Sequence, residues 1–343
     1  MRRAALITAT VCVATSAALL LAEIAMRVIG GRPPIVSEWI LGRPELLDGE
    51  VLFCDPDYRR DGYYQVSGRP LVAFLGDSFT RGHPVARKDS YPAVLMERLA
   101  GLGRAASGIT LGIGDGGPDQ ELRLFERHML PRVKPDVVVW QLYPNDAYDN
   151  VSKAVYAIDA GRLAPLDVSD NWLMRRQHLY DQVPSRDLLR RGSWVFRSLL
   201  KSFERSQLAA LPEAYRDDPR RWGLEKIRLE VARMRELAQR HGFKVYFLLV
   251  APQSLYLTPE VVREPAHQRF LGAYRSLGEL LARQPTFLEA RLCESDGVTL
   301  RSDVFVDGAR DSNGEGARHF NETGYRLLAE LVLGRLTADR VLD

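Results

Sequence analysis

The sequence predicts an α/β fold, a three-layer α/β/α arrangement around a central, mostly parallel sheet, preceded by one N-terminal transmembrane helix. Three observations carry this expectation. Short apolar runs at 71–75, 137–142 and 244–250 are bounded by turn residues, the pattern of strands buried on both faces. Stretches of helical period alternate with them. A run of 19 uncharged residues, 4–22, opens the chain behind Arg2 and Arg3.

Composition narrows the function classes. Of 343 residues, 46% are apolar and 27% charged, enough for a sizeable core and too apolar for long disordered segments. The formal charge of +3 is local, because Arg2, Arg3, Arg27 and Arg32 face only Glu23 within the first 34 residues. The rest of the chain is balanced, so no basic stripe marks it as a nucleic-acid protein. Three cysteines exclude a disulfide-rich scaffold and a four-cysteine zinc site. The remaining histidines show no metal-ligand spacing, and surface or helix-end roles suffice for them; no cofactor or metal is expected.

As a helix, the uncharged run spans ~28 Å, close to the hydrocarbon thickness of a bilayer. A cleaved signal peptide has an apolar stretch of ~7–15 residues followed by small residues. Here Ala14, Ser16 and Ala17 lie inside the run, before Leu19-Leu20-Leu21. An uncleaved anchor fits that order better than secretion after cleavage. The flanking arginines place the body on the extracytoplasmic side, periplasmic or extracellular. There Cys54 and Cys293 either pair or remain buried thiols. Gly30-Gly31-Arg32-Pro33-Pro34 then breaks the helix and links it to one domain, 35–343.

Within that domain, helices are expected at 91–102, 120–130, 224–240, 267–283 and 325–336, with a short strand at 286–288. Between about 151 and 222 the alternation stops, and the stretch reads as an insertion or lid. Its tryptophans Trp172, Trp194 and Trp222 read as packing residues that could also face sugar rings.

Four separated blocks carry chemistry. Strand 71–75 runs into Gly76-Asp77-Ser78, which puts Ser78 at the carboxyl edge of a parallel sheet, although Asp and Ser also serve as plain turn residues. Residues 110–120 form a glycine-rich turn whose backbone N–H groups can approach a developing oxyanion. Strand 137–142 ends at Tyr143-Pro144-Asn145-Asp146, where the Asn145 amide can add a second donor or simply make a turn. Near the C-terminus, Asn321 reads as the cap of the last helix and holds His319 on a loop, placed to serve a serine as base.

Together, Gly76-Asp77-Ser78-Phe79, the following glycines, Asn145-Asp146 and His319 resemble the four ordered blocks of the SGNH (GDSL-type) hydrolases. The resemblance covers about a third of the chain and implies a flavodoxin-like sheet order and an ester-hydrolysing enzyme. It assigns Ser78 as nucleophile, Asn145 and a glycine N–H as oxyanion donors, and His319 as general base. Gly114 is the glycine chosen, with Gly112 and Gly116 as alternates. The family's aspartate three residues before the histidine is Gly316 here, leaving Asp311, Glu315 or a backbone carbonyl to orient the ring. The implied substrates are O-acyl esters, O-acetyl among them, on envelope or exported carbohydrate. An O-acyltransferase and a non-catalytic carbohydrate-binding or assembly module are the alternatives. A competing motif, Asp311-Ser312-Asn313-Gly314-Glu315-Gly316 with Glu322, resembles a calcium loop, but Arg318 stands at its hydrophobic position and a strand precedes it.

Overall fold

The computed structural model describes residues 2–29, 44–47, 50–53, 69–104, 106–113, 116–152, 154–166, 217–257, 265–293, 301–306 and 319–342, with single positions between them. The expectations for Gly114, Cys54, Asp311, Glu315 and Gly316, for the 30–34 linker and for most of the insertion lie outside these residues.

Helix α1 (Arg2–Ile29) is followed by a hairpin, β1 (Pro44–Leu47) and β2 (Glu50–Phe53). The main sheet comprises β3 (Leu71–Gly76), β4 (Ser107–Gly112), β5 (Val137–Leu142), β8 (Lys244–Val250) and β9 (Phe287–Ala290). Between β5 and β8 lies a second hairpin, β6 (Tyr156–Asp159) and β7 (Arg162–Pro165). The main sheet is parallel throughout, in the order β4-β3-β5-β8-β9. The chain therefore steps from β3 to β4, crosses back over β3, and continues outward from β5. That reversal opens a crevice at the carboxyl end of β3, where ligands of open α/β sheets bind.

The two-residue period of the strands sends alternate side chains into two helical layers. On one face Val72, Phe74, Val139 and Leu248 pack against α3 (Tyr91–Gly101) and α8 (Glu322–Ala338). On the other, Ala73, Leu75, Trp140 and Phe247 pack against α4 (Pro118–Leu124), α6 (Pro219–His241) and α7 (Pro265–Leu281). Local signals bound the helices. Asp218 caps α6 through Arg221 N at 3.1 Å, and Gly242 ends it at a φ of 77°. Asn321 caps α8 through Gly324 N at 3.0 Å.

Several sequence expectations need correction. The stretch read as a glycine-rich turn begins as strand β4, an edge strand in which Ile109 and Leu111 alternate with small residues; a side chain at Gly108 would collide with Met96. The helix expected over 120–130 narrows to α4 and continues as a π turn at Phe125–Met129. The region at 151–222 holds the β6–β7 hairpin, and α6 begins already at Pro219. Val304-Phe305-Val306 is not a strand: a 3-10 turn ends at Val304, and Phe305 makes a single bridge to Phe320. Among the described residues no helix is long and apolar enough to cross a membrane. The side chains of residues 2–9 lie outside that description, whereas Val11, Val13, Leu19, Leu20, Leu21, Ile24 and Val28 of α1 are exposed.

Candidate active site

The carboxyl edge of β3 delivers Ser78 directly. No loop intervenes before the helix: Ser78 is the first residue of a short helix, α2 (Ser78–Arg81), and Asp77 caps it by accepting from Phe79 N at 2.9 Å. The Ser78 N–H is thus a first-turn amide that no carbonyl of its own helix can accept. Gly76 sits at a φ of 152°, and a side chain there would run into Thr80 Oγ1 and Gln141 Oε1. Those two atoms tie the turn to β5: Gln141 Oε1 accepts from Asp77 N at 3.2 Å and from Thr80 Oγ1 at 3.0 Å.

His319 arrives from the other end of the chain. Its backbone carbonyl accepts from Val306 N at 3.2 Å, and Asn321 N donates to Val304 O at 2.9 Å. Asn321 Nδ2 reaches Asp303 O at 2.7 Å, so the cap of α8 also pins the segment beside it. Phe79 packs on the imidazole with ring centroids 5.1 Å apart. The result is a Ser78 Oγ to His319 Nε2 distance of 2.7 Å across 241 residues of sequence. His83, for which a surface role was expected, stands edge-on to His319 at 4.9 Å.

Asn145 follows β5, which pairs in parallel with β3, so the two turns share one edge of the sheet. It is half-buried, and Nδ2 donates to Asp149 Oδ2 at 2.7 Å, one helical turn along α5 (Asp146–Ser152). A carboxylate can accept only from the amino end of the carboxamide, so Asp149 fixes which end Asn145 presents. One N–H of that amino group goes to Asp149. Of the alternate glycines, Gly112 closes β4 against the Arg81 backbone, and the Gly116 N–H is taken by Ile113 O at 3.0 Å. The Gly116 amide is thereby committed within its own turn.

Beneath this edge lies a buried polar network that the sequence analysis did not single out. Lys226, Asp119, Glu121, Glu230 and Asn150 are each 0% exposed. Lys226 Nζ contacts Asp119 Oδ2 at 2.7 Å and the Asn150 carbonyl at 2.5 Å. Asn150 in turn accepts from Asp119 N at 2.9 Å and donates to Glu230 Oε2 at 2.7 Å. The start of α4, which follows the glycine block, is thereby stitched to the end of α5, which begins beside Asn145, through α6. Burial pushes the Glu230 carboxyl up to about 8 despite Lys226. Burial also holds Glu121 and Asp146 well above the ordinary carboxylate range, with Asp77 pushing both the same way. The signal that could have found these groups is their spacing: Lys226 and Glu230 share the helical face of the apolar Ile227, Val231 and Met234.

Among the described residues no group of three or more His, Cys, Asp or Glu could hold a metal ion. The competing calcium-loop motif falls mostly outside them.

No family model and no curated protein matches the sequence. Solved structures are similar at low identity. A lipase/acylhydrolase from Enterococcus faecalis is 16% identical over 79% of this chain and 97% of its own, with a TM-score of 0.43. An acetyl xylan esterase is 16% identical over 77% and 98%, at a TM-score of 0.43. A psychrotrophic esterase from Pseudoalteromonas sp. is 11% identical over 79% and 99%, at a TM-score of 0.42. At these values the likenesses transfer neither activity nor substrate, and the chemistry of this chain rests on its own side chains.

Proposed function

We propose that this chain is an ester-hydrolysing serine enzyme of the SGNH type. The observation that carries the reading is the 2.7 Å contact between Ser78 Oγ and His319 Nε2 at the carboxyl edge of a parallel sheet. In the reaction, Ser78 Oγ attacks the ester carbonyl carbon while His319 Nε2 takes its proton. The tetrahedral oxyanion is met by the Ser78 N–H, the second N–H of Asn145 and, from the glycine block, Gly114. Collapse breaks the bond to the alcohol, which leaves with the proton from His319. Water then attacks the acyl-serine, His319 takes a proton from it, and the acid departs with Ser78 restored.

Asp311 or Glu315 orients the imidazole in place of the acid missing at Gly316, or the pair works as a dyad. O-acyl esters on envelope or exported carbohydrate are the substrate class. The uncharged run at 4–22, whose first side chains lie outside the described residues, supports anchoring to a membrane with the domain outside the cytoplasm. Recovery of the intact chain in the soluble extracytoplasmic fraction would contradict the anchor.

The test uses the full chain beside Ser78→Ala, with p-nitrophenyl esters of increasing acyl length and a fluorophosphonate probe. Turnover and labelling that both vanish in a folded Ser78→Ala support the reading. A folded wild type that neither labels nor turns over rejects it in favour of a non-catalytic module. Transfer to an added sugar without release of matching free acid would instead identify an acyltransferase.

A further inference from the structure

Several surface arginines have carboxylate partners: Arg228 with Glu225, Arg233 with Glu126 and Glu236, Arg291 with Glu289, Arg335 with Asp339. Others have none among the described residues, and two of these stand on the Asn145 side of the candidate site. Arg269, on the second turn of α7, lays its guanidinium over the Tyr148 ring at 3.9 Å. Among the described residues it has no ion pair, and neither does Arg220. The face of α7 that carries Arg269 carries Gly272 one turn later, and Arg220 lies across that glycine: a side chain there would meet Arg220 Nη1 at 2.8 Å.

Their position is defined by contacts that lead back to Ser78. Tyr148 N donates to Asn145 O at 2.7 Å, so Tyr148 stands one turn beyond the oxyanion asparagine. Phe270, next to Arg269, packs against Tyr143 with centroids 6.2 Å apart, and Tyr143 packs against Phe79 at 4.6 Å. The first turns of α7 thus form a wall along the Asn145 side of the crevice. His267 stands on that wall one turn before Phe270, its Nδ1 held by Ser254 Oγ at 2.7 Å. The nearby Asp149 carboxylate is committed to the Asn145 amide.

The geometry points to a subsite for an anionic group: Arg269, seated on Tyr148 and seconded by Arg220, receives a carboxylate carried on the alcohol portion of the ester. The inference rests on the proposed esterase reading and names its substrate class, an acyl ester of an acidic alcohol such as a uronate-bearing carbohydrate. Arg269 and Arg220 have no acidic partner among the described residues, and a bound carboxylate would offset the positive charge they bring to this wall. The planar fork of Arg269, pre-set by stacking, suits two-point binding of a carboxylate.

The experiment compares 4-acetoxybenzoate with methyl 4-acetoxybenzoate on the full chain, which differ in charge on the leaving phenol. The ratio of kcat/KM, anionic over neutral ester, should fall about threefold to fivefold in Arg269→Gln and further in Arg269→Gln/Arg220→Gln, the scale of an exposed ion pair. Arg269→Lys should keep part of the preference, and salt at about 0.5 M should erase most of it. An unchanged ratio in the folded double variant overturns the subsite while leaving the Ser78 chemistry standing. Failure of the wild type to hydrolyse either ester overturns the esterase reading and the subsite with it.

Discussion

Asn145 Nδ2 donates to Asp149 Oδ2 at 2.7 Å, so a carboxylate one turn along α5 sets the orientation of the amide that faces the proposed oxyanion. Asp149→Ala releases the carboxamide to rotate. The expected result is a kcat lowered about tenfold with KM nearly unchanged, part of the ~10²–10³ that a whole oxyanion donor is worth. Steady-state kinetics on p-nitrophenyl acetate check it; an unchanged kcat would mean Asn145 needs no such guide.

Gly76→Ala places a methyl group into Thr80 Oγ1 and Gln141 Oε1 at a φ that a side chain rarely adopts. These same atoms hold the Ser78 turn. The variant should lose about 1–3 kcal/mol of stability and most of its activity together. Denaturant melts and turnover measured on one preparation test the coupling.

Lys226→Met leaves the Asp119 carboxylate buried without its cation, a change expected to lower stability by about 3–5 kcal/mol. Adding Asp119→Asn removes the stranded charge while keeping an acceptor for Val155 N, now 2.8 Å away. Thermal melts should therefore show the double variant recovering most of the loss. If it falls as far as the single variant, the pair is not what joins α4 to α5.

The Glu230 carboxyl is pushed from 4.5 up to about 8 by burial. A carboxyl whose folded value lies above its unfolded one contributes stability below the unfolded value and loses it as pH rises through the folded value. Between about pH 4.5 and 8 the wild type should lose up to about 1.4 kcal/mol per pH unit through this group. Glu230→Gln cannot ionise and should lack that part of the slope, gaining on the wild type as pH climbs. Melts at several pH values across the window measure the difference; parallel curves would place the Glu230 titration elsewhere.

Local residue order made much of this legible from sequence alone. The apolar runs at 71–75, 137–142 and 244–250 became three adjacent central strands because each is bounded by turn residues and apolar on both faces. Asn321 capped the last helix as expected, since a cap depends on residues only three apart. Strand β4 escaped notice because its Ile109 and Leu111 alternate with Ser, Gly and Thr, leaving no apolar run to read.

The sequence by itself therefore determined the alternation of strands and helices, the sheet-edge positions of Ser78 and Asn145, and the caps. These depend on neighbours within a turn or two. Only the tertiary structure decided that Ser78 meets His319, that Lys226 and Asp119 pair 107 residues apart, and that Arg269 stands over Tyr148. Burial and charge pairing depend on which surfaces close on one another, and a linear pattern of polar residues reads the same whether its face meets water or another helix.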